Sequence, residues 1–129
     1  MKNNITLTIT SLLSILLMSL HLTQDVMNGT DDPKGIKVGV LILLVWTCGT
    51  ILLAGRWSGY VITFLGGLFA AAMHILHTMG RGPVRWGLSF VWTLYVLGVT
   101  GWFAAILSVI GLWKLRSRRV ATARPSSSP

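Results

Sequence analysis

The sequence predicts an all-α integral membrane protein built as a four-helix bundle. Of its 129 residues, 53% are hydrophobic and only 11% are charged, whereas a soluble domain carries about 25% charged residues. The apolar residues form four runs long enough to cross a bilayer, separated by segments rich in Gly, Pro and charged residues. One small water-soluble core cannot bury an apolar surface of this size.

The four runs define one transmembrane domain, residues 1–113, with short loops. The predicted spans are residues 5–22, 38–55, 59–77 and 86–113. The first run follows Lys2, as in a secretory signal peptide, but no small-x-small cleavage site follows it, so we expect an uncleaved helix. Residues 114–129 are basic and end in Pro and Ser, and we expect a disordered cytoplasmic tail there.

Small residues recur on one face of the third and fourth spans. In the third span, His74 and His77 follow Ala70 and Gly66 at helical spacing, so the imidazoles share a face with small residues. The fourth span has Gly101 and Ala105 four residues apart. Such faces allow membrane helices to pack closely. We therefore expect these small residues to contact a neighbouring helix, in this chain, in a second copy or in a larger membrane partner.

A polar stripe follows one face of the first span. It consists of five residues at spacings of three and four: Ser11, Ser14, Met18, His21 and Asp25. Lipid cannot satisfy the polar groups, so the stripe is expected to face protein or a wet cavity. The alternative for the hydroxyls is a hydrogen bond to their own helix.

The distribution of positive charge predicts the orientation. Among eleven Lys and Arg residues, seven lie on the side of the two termini and four on the other side, which predicts cytoplasmic termini in a bacterial-type inner membrane. Because the cations flank apolar spans, we expect no nucleic acid as a partner. Four cations directly after the last span are expected to contact anionic lipid, or only to fix the topology: Lys114, Arg116, Arg118 and Arg119.

This orientation places all the histidines and acids at the non-cytoplasmic end. His74 and His77 at i and i+3, together with His21 and Asp25, are a possible ligand set for a transition metal. Haem b held by His21 and one histidine of the third span is a second hypothesis. The structural alternative is that interfacial histidines only form hydrogen bonds to loops, headgroups or water.

No recognisable catalytic motif is present, which favours a protein without enzymatic activity. The single cysteine, Cys48, excludes an intramolecular disulfide and a CxxC redox pair. We therefore expect a small structural or accessory membrane subunit that pairs with itself or with a larger partner. The alternatives are a metal- or haem-binding redox accessory protein and an oligomeric channel or transporter.

Overall fold

The chain forms four helices, described in a computed structural model that covers residues 2–29, 32–80 and 88–122. They are α1 (Lys2–Met27), α2 (Pro33–Ile51), α3 (Trp57–Gly80) and α4 (Leu88–Thr122). All four are long and apolar enough to cross a membrane, and the described residues contain no strand. The predicted fold class, an all-α four-helix membrane bundle, is confirmed.

The helix bounds differ from the predicted spans by several residues, and the differences at the C-terminal ends of α2 and α4 have a clear physical cause. α2 ends at Ile51 because the chain turns over residues 52–56, where Gly55 has a φ of 77° that only glycine adopts readily. α4 continues to Thr122, so the first nine residues of the predicted tail are helical. That segment is rich in Lys, Leu and Arg and lacks Gly and Pro. Residues 81–87 and 123–129, on which the predicted start of the fourth span and end of the tail fall, lie outside the described residues.

The helices alternate in direction around a four-sided bundle. α1 and α3 each pack against both α2 and α4, and they face each other across the diagonal with limited contact. At one end of the bundle, the Tyr60 hydroxyl of α3 donates to the Asn4 side chain of α1 at 2.6 Å. The Tyr60 ring also covers Gly111 of α4. The opposite end therefore holds the last turns of α1 and α3 and the first turns of α4.

The most extensive interface joins α3 to α4 and is made of glycine and alanine. A Cβ atom on Gly67 would lie 2.7 Å from the Gly101 carbonyl oxygen, and one on Gly101 would lie 2.7 Å from the Gly67 carbonyl oxygen. Ala70 and Ala105 are buried in the same interface. The two backbones touch because no side chain separates them, which is how membrane helices gain van der Waals contact without a hydrophobic driving force.

Gly66 lies beside this interface and serves another contact. Its Cα is covered by the indole ring of Trp46 from α2, so the glycine makes room for the largest side chain of the core. Trp46 joins three other buried residues at the centre of the bundle, namely Met18, Ala70 and Leu97. This apolar layer separates the two polar ends of the bundle.

A buried hydrogen-bond network links α1 to α2. The Trp46 indole N–H donates to the Ser11 hydroxyl at 2.9 Å. The hydroxyl oxygens of Ser11 and Thr50 are joined by a hydrogen bond of 2.7 Å. Ser14 instead donates to the Thr10 carbonyl of its own helix. Of the two alternatives for the hydroxyls, Ser11 therefore bonds across the interface and Ser14 bonds to its own helix. This network satisfies polar groups that lipid cannot satisfy.

We predict that Gly67→Ala lowers the stability of the bundle by about 1–3 kcal/mol, the usual cost of overpacking. The new methyl group would press on the backbone of α4, which cannot move aside as a side chain can. Gly39→Ala is the matched control, since its new methyl group meets only the flexible end of Leu22. Thermal or denaturant unfolding in detergent, followed by helical circular dichroism, measures the difference. Equal stability of the two variants would contradict the prediction.

We predict that Ser11→Ala destabilises the bundle by about 1 kcal/mol more than Ser108→Ala. Both serines are fully buried, but Ser108 donates only to the Ala104 carbonyl of its own helix. Removing the Ser11 hydroxyl leaves the Trp46 N–H and the Thr50 hydroxyl without their interhelical partner. Denaturant unfolding of the two variants in the same detergent gives the comparison, and a smaller loss for Ser11→Ala would refute it.

Candidate metal centre

The last turns of α1 carry a buried imidazole and a buried carboxylate. His21 and Asp25 are one helical turn apart and are only 1% and 5% exposed. The His21 Nε2 atom lies 3.2 Å from the Asp25 Oδ2 atom. Neither ring nitrogen of His21 has a hydrogen-bond partner among the described residues, because the contact with Asp25 lacks hydrogen-bond geometry. Buried polar atoms without such a partner are costly and point to a missing ligand, ion or water.

α3 brings a second imidazole to the same place. The His77 ring meets the His21 ring edge-on, with centroids 4.8 Å apart and planes at 83°. The His77 Nδ1 atom lies 3.0 Å from the Met73 carbonyl oxygen. Since a carbonyl only accepts, this contact assigns the proton to Nδ1 and leaves the Nε2 lone pair for another partner. Histidines that bind metals usually donate their other nitrogen in this way.

α4 closes the cluster with an aromatic wall. The buried Phe90 ring lies 5.0 Å from the His21 ring and 5.9 Å from the His77 ring, measured between centroids. Residues of three helices thus surround the buried His21 ring, whereas His77 is partly exposed. Nothing in the sequence singled out Phe90, since an aromatic residue at the start of an apolar span has no distinctive pattern.

The arrangement is close to the geometry of a metal site. One ligand atom from each of His21, Asp25 and His77 lies within 4.8 Å of the other two. A tetrahedral ion with bonds of about 2.1 Å holds its ligands about 3.4 Å apart, and two ligands of one ion are never more than about 4.2 Å apart. The three side chains are therefore within about 1 Å of binding distance. Three protein ligands would leave a coordination position open.

His74, the other histidine of α3, lies apart from this cluster. Its ring packs on Tyr95 of α4 with centroids 4.5 Å apart, and its Cβ and Cγ atoms cover Gly98. The sequence placed both α3 histidines in one ligand set because residues at i and i+3 share a side of a helix. The bundle separates them, because α3 has α4 on one side and α1 across the diagonal.

The rings of His21 and His77 lie too close together to hold haem between them. Two imidazoles that ligate one haem iron stand on opposite faces of the macrocycle, which puts their ring centroids roughly 6 Å apart with the porphyrin between them. The rings of His21 and His77 are in edge contact at 4.8 Å. Phe90 fills the space beside them. One ligand atom from each of His21, Asp25 and His77 could reach a single ion.

The other residues singled out by the sequence have different surroundings. The α3–α4 interface buries Ala70, Gly101 and Ala105. The Trp46 ring covers Gly66. These faces of small residues therefore pack against other helices of the same chain. The four cations that we expected to contact lipid are exposed on the last turns of α4: Lys114, Arg116, Arg118 and Arg119. Their contact with anionic lipid stays a prediction.

Comparisons with protein-family models, with curated proteins and with solved structures found no match to this chain.

Proposed function

We propose that the chain is a small multi-pass accessory protein of a bacterial-type inner membrane that holds one divalent transition-metal ion between α1 and α3. The observation that carries the proposal is the convergence of His21, Asp25 and His77 in one group, with both nitrogens of a buried imidazole lacking a hydrogen-bond partner among the described residues. An ion would supply that partner.

The donor set indicates which metals the site would take. Two imidazole nitrogens and one carboxylate oxygen suit Zn²⁺ and its neighbours in the first transition row, whereas Mg²⁺ and Ca²⁺ prefer oxygen ligands alone. The hydrogen bond from His77 Nδ1 to the Met73 carbonyl supports the proposal, because it holds the ring with Nε2 available. With three protein ligands, water or a partner's ligand would complete the coordination.

We place the metal at the non-cytoplasmic face of the membrane. The positive-inside rule supports this orientation, because seven of the eleven Lys and Arg residues lie on the side of the two termini. The 35 residues of α4 extend about 52 Å, well beyond a hydrocarbon core of about 30 Å. Its basic last turns would then project into the cytoplasm, and the histidine cluster would face the periplasm.

A channel through one copy of the chain has less support. The buried side chains of Met18, Trp46, Ala70 and Leu97 fill the centre of the bundle between its two polar ends. The polar stripe of α1 is therefore interrupted by an apolar layer. A conducting pore would need several copies, and no observation favours that arrangement over metal binding.

We predict that the purified protein binds one Zn²⁺ per chain and that His77→Ala weakens binding by more than about 100-fold. Loss of a direct ligand should weaken metal affinity more than substitution of a residue that only hydrogen-bonds to a ligand, which typically costs roughly 10–100-fold. Isothermal titration calorimetry in mild detergent measures this, on chelator-treated protein purified through a histidine-free tag. Binding should also weaken on acidification, because imidazole binds metal only in its neutral form.

His74→Ala is the matched control for that experiment. It makes the same substitution three residues away, where the imidazole packs on Tyr95 outside the cluster, and it should bind Zn²⁺ as the unmodified protein does. Helical circular dichroism of both variants confirms that each is folded. Absence of stoichiometric binding by the unmodified protein, or equal weakening by both substitutions, would refute the proposed site.

We predict that both termini are cytoplasmic and that the turn after α1 is periplasmic. Reporter tags fused at each terminus and inserted after Gly29, which has open space around it, test the topology in intact bacteria. Among the three tags, only the one inserted after Gly29 should be accessible to protease or thiol reagents from outside. A terminal tag that reacts from outside the cell would overturn the orientation.

A further inference from the structure

The candidate metal centre joins two helices that otherwise have limited contact. α1 and α3 face each other across the diagonal of the bundle, and each is held mainly by α2 and α4. At the end of the bundle that holds the cluster, α1 contacts α3 through the imidazole rings of His21 and His77. A bond from each helix to a shared ion would add a strong link where packing provides little.

The distances show where the site must close to hold an ion. His21 and Asp25 belong to one helix, and the His21 Nε2 atom is already 3.2 Å from the Asp25 Oδ2 atom. The ligand atoms of the whole group span up to 4.8 Å, whereas two ligands of one ion are at most about 4.2 Å apart. The remaining contraction therefore falls between the α1 pair and His77, and so across the gap between the two helices.

The ends of these helices lie beyond the close backbone contact of the bundle. The backbones of α3 and α4 touch at Gly67, ten residues before His77 and thus about 15 Å along the helix axis, whereas nearer to His77 the two helices meet through side chains such as His74 and Tyr95. Beyond the cluster, Met27 of α1 and Met79 of α3 are 82% and 84% exposed. Close packing thus holds the centre of α3, while the turns beyond the cluster are open to their surroundings.

We propose that metal binding clamps the outer ends of α1 and α3 together, so that the occupancy of the site sets the spacing of these two helix ends. The proposal rests on the metal site proposed above and adds that the spacing of the helix ends responds to metal binding. An ion that binds the closed arrangement more tightly shifts the population toward it. The turn that follows α1 would carry this change to the periplasmic surface, which would make the protein responsive to metal on that side.

Double electron–electron resonance between two spin labels tests the clamp. The labels are placed at Met27→Cys and Met79→Cys in a Cys48→Ser background, since both sites are exposed and lie just beyond the cluster. With Zn²⁺ the mean distance between the labels should shorten by about 1 Å, the contraction that a shared ion requires, and its distribution should narrow. Adding His77→Ala should abolish both changes.

A second label pair on the same two helices is the control. Ile5→Cys and Trp57→Cys place exposed labels at the opposite ends of α1 and α3, far from the metal, where Zn²⁺ should leave the distance unchanged. Equal shortening of both pairs would mean a general compaction and would overturn the clamp.

Zn²⁺ calorimetry on the labelled proteins separates this proposal from the one on which it rests. Stoichiometric binding with an unchanged Met27–Met79 distribution would overturn the clamp and leave the metal site standing. Absence of Zn²⁺ binding would overturn the metal site itself. Binding together with a shortened and narrowed outer distance, lost in His77→Ala, supports both.

Discussion

The close approach of α3 and α4 at Gly67 and Gly101 is the contact on which the rest of the bundle depends. Water drives helices together in a soluble protein, but in a bilayer lipid tails are as apolar as Leu, so shape complementarity has to supply the association. Two glycines whose carbonyl oxygens face each other's Cα atoms allow the shortest possible separation. With this pair fixed, α1 packs mainly on α4 and α2 packs on α3, which completes the four sides of the bundle.

The position of α1 follows from its polar residues. Ser11, Ser14, His21 and Asp25 are all buried, so the helix presents its polar stripe to its neighbours and its Leu and Ile residues to lipid. One half of the stripe is satisfied by the bond between Ser11 and Thr50 and by the Trp46 indole. The other half meets His77 instead, and there the ring nitrogens of His21 have no hydrogen-bond partner among the described residues. A buried apolar layer that includes Met18 separates the two halves.

Contacts between the helices are distributed unevenly along the bundle. Hydrogen bonds and close backbone contacts are concentrated at the centre and at the Tyr60 end, where Tyr60 also joins α1 to α3 through Asn4. At the opposite end, the rings of His21 and His77 are in edge contact, with centroids 4.8 Å apart. A ligand that joins these rings adds its binding free energy to the stability of the folded state.

The sequence by itself determined the four spans, the inward polar stripe of α1 and the small residues of α3 and α4, because the bilayer imposes span length and amphipathic periodicity on any chain that crosses it. It also placed His21 and Asp25 on one face, since i and i+4 spacing requires this. Only the tertiary structure decided that His77 rather than His74 meets them, that Gly66 accommodates Trp46, and that Phe90 encloses the cluster. Helical spacing fixes which residues share a face of one helix, but the rotation of each helix against its neighbours arises from side-chain packing among all four.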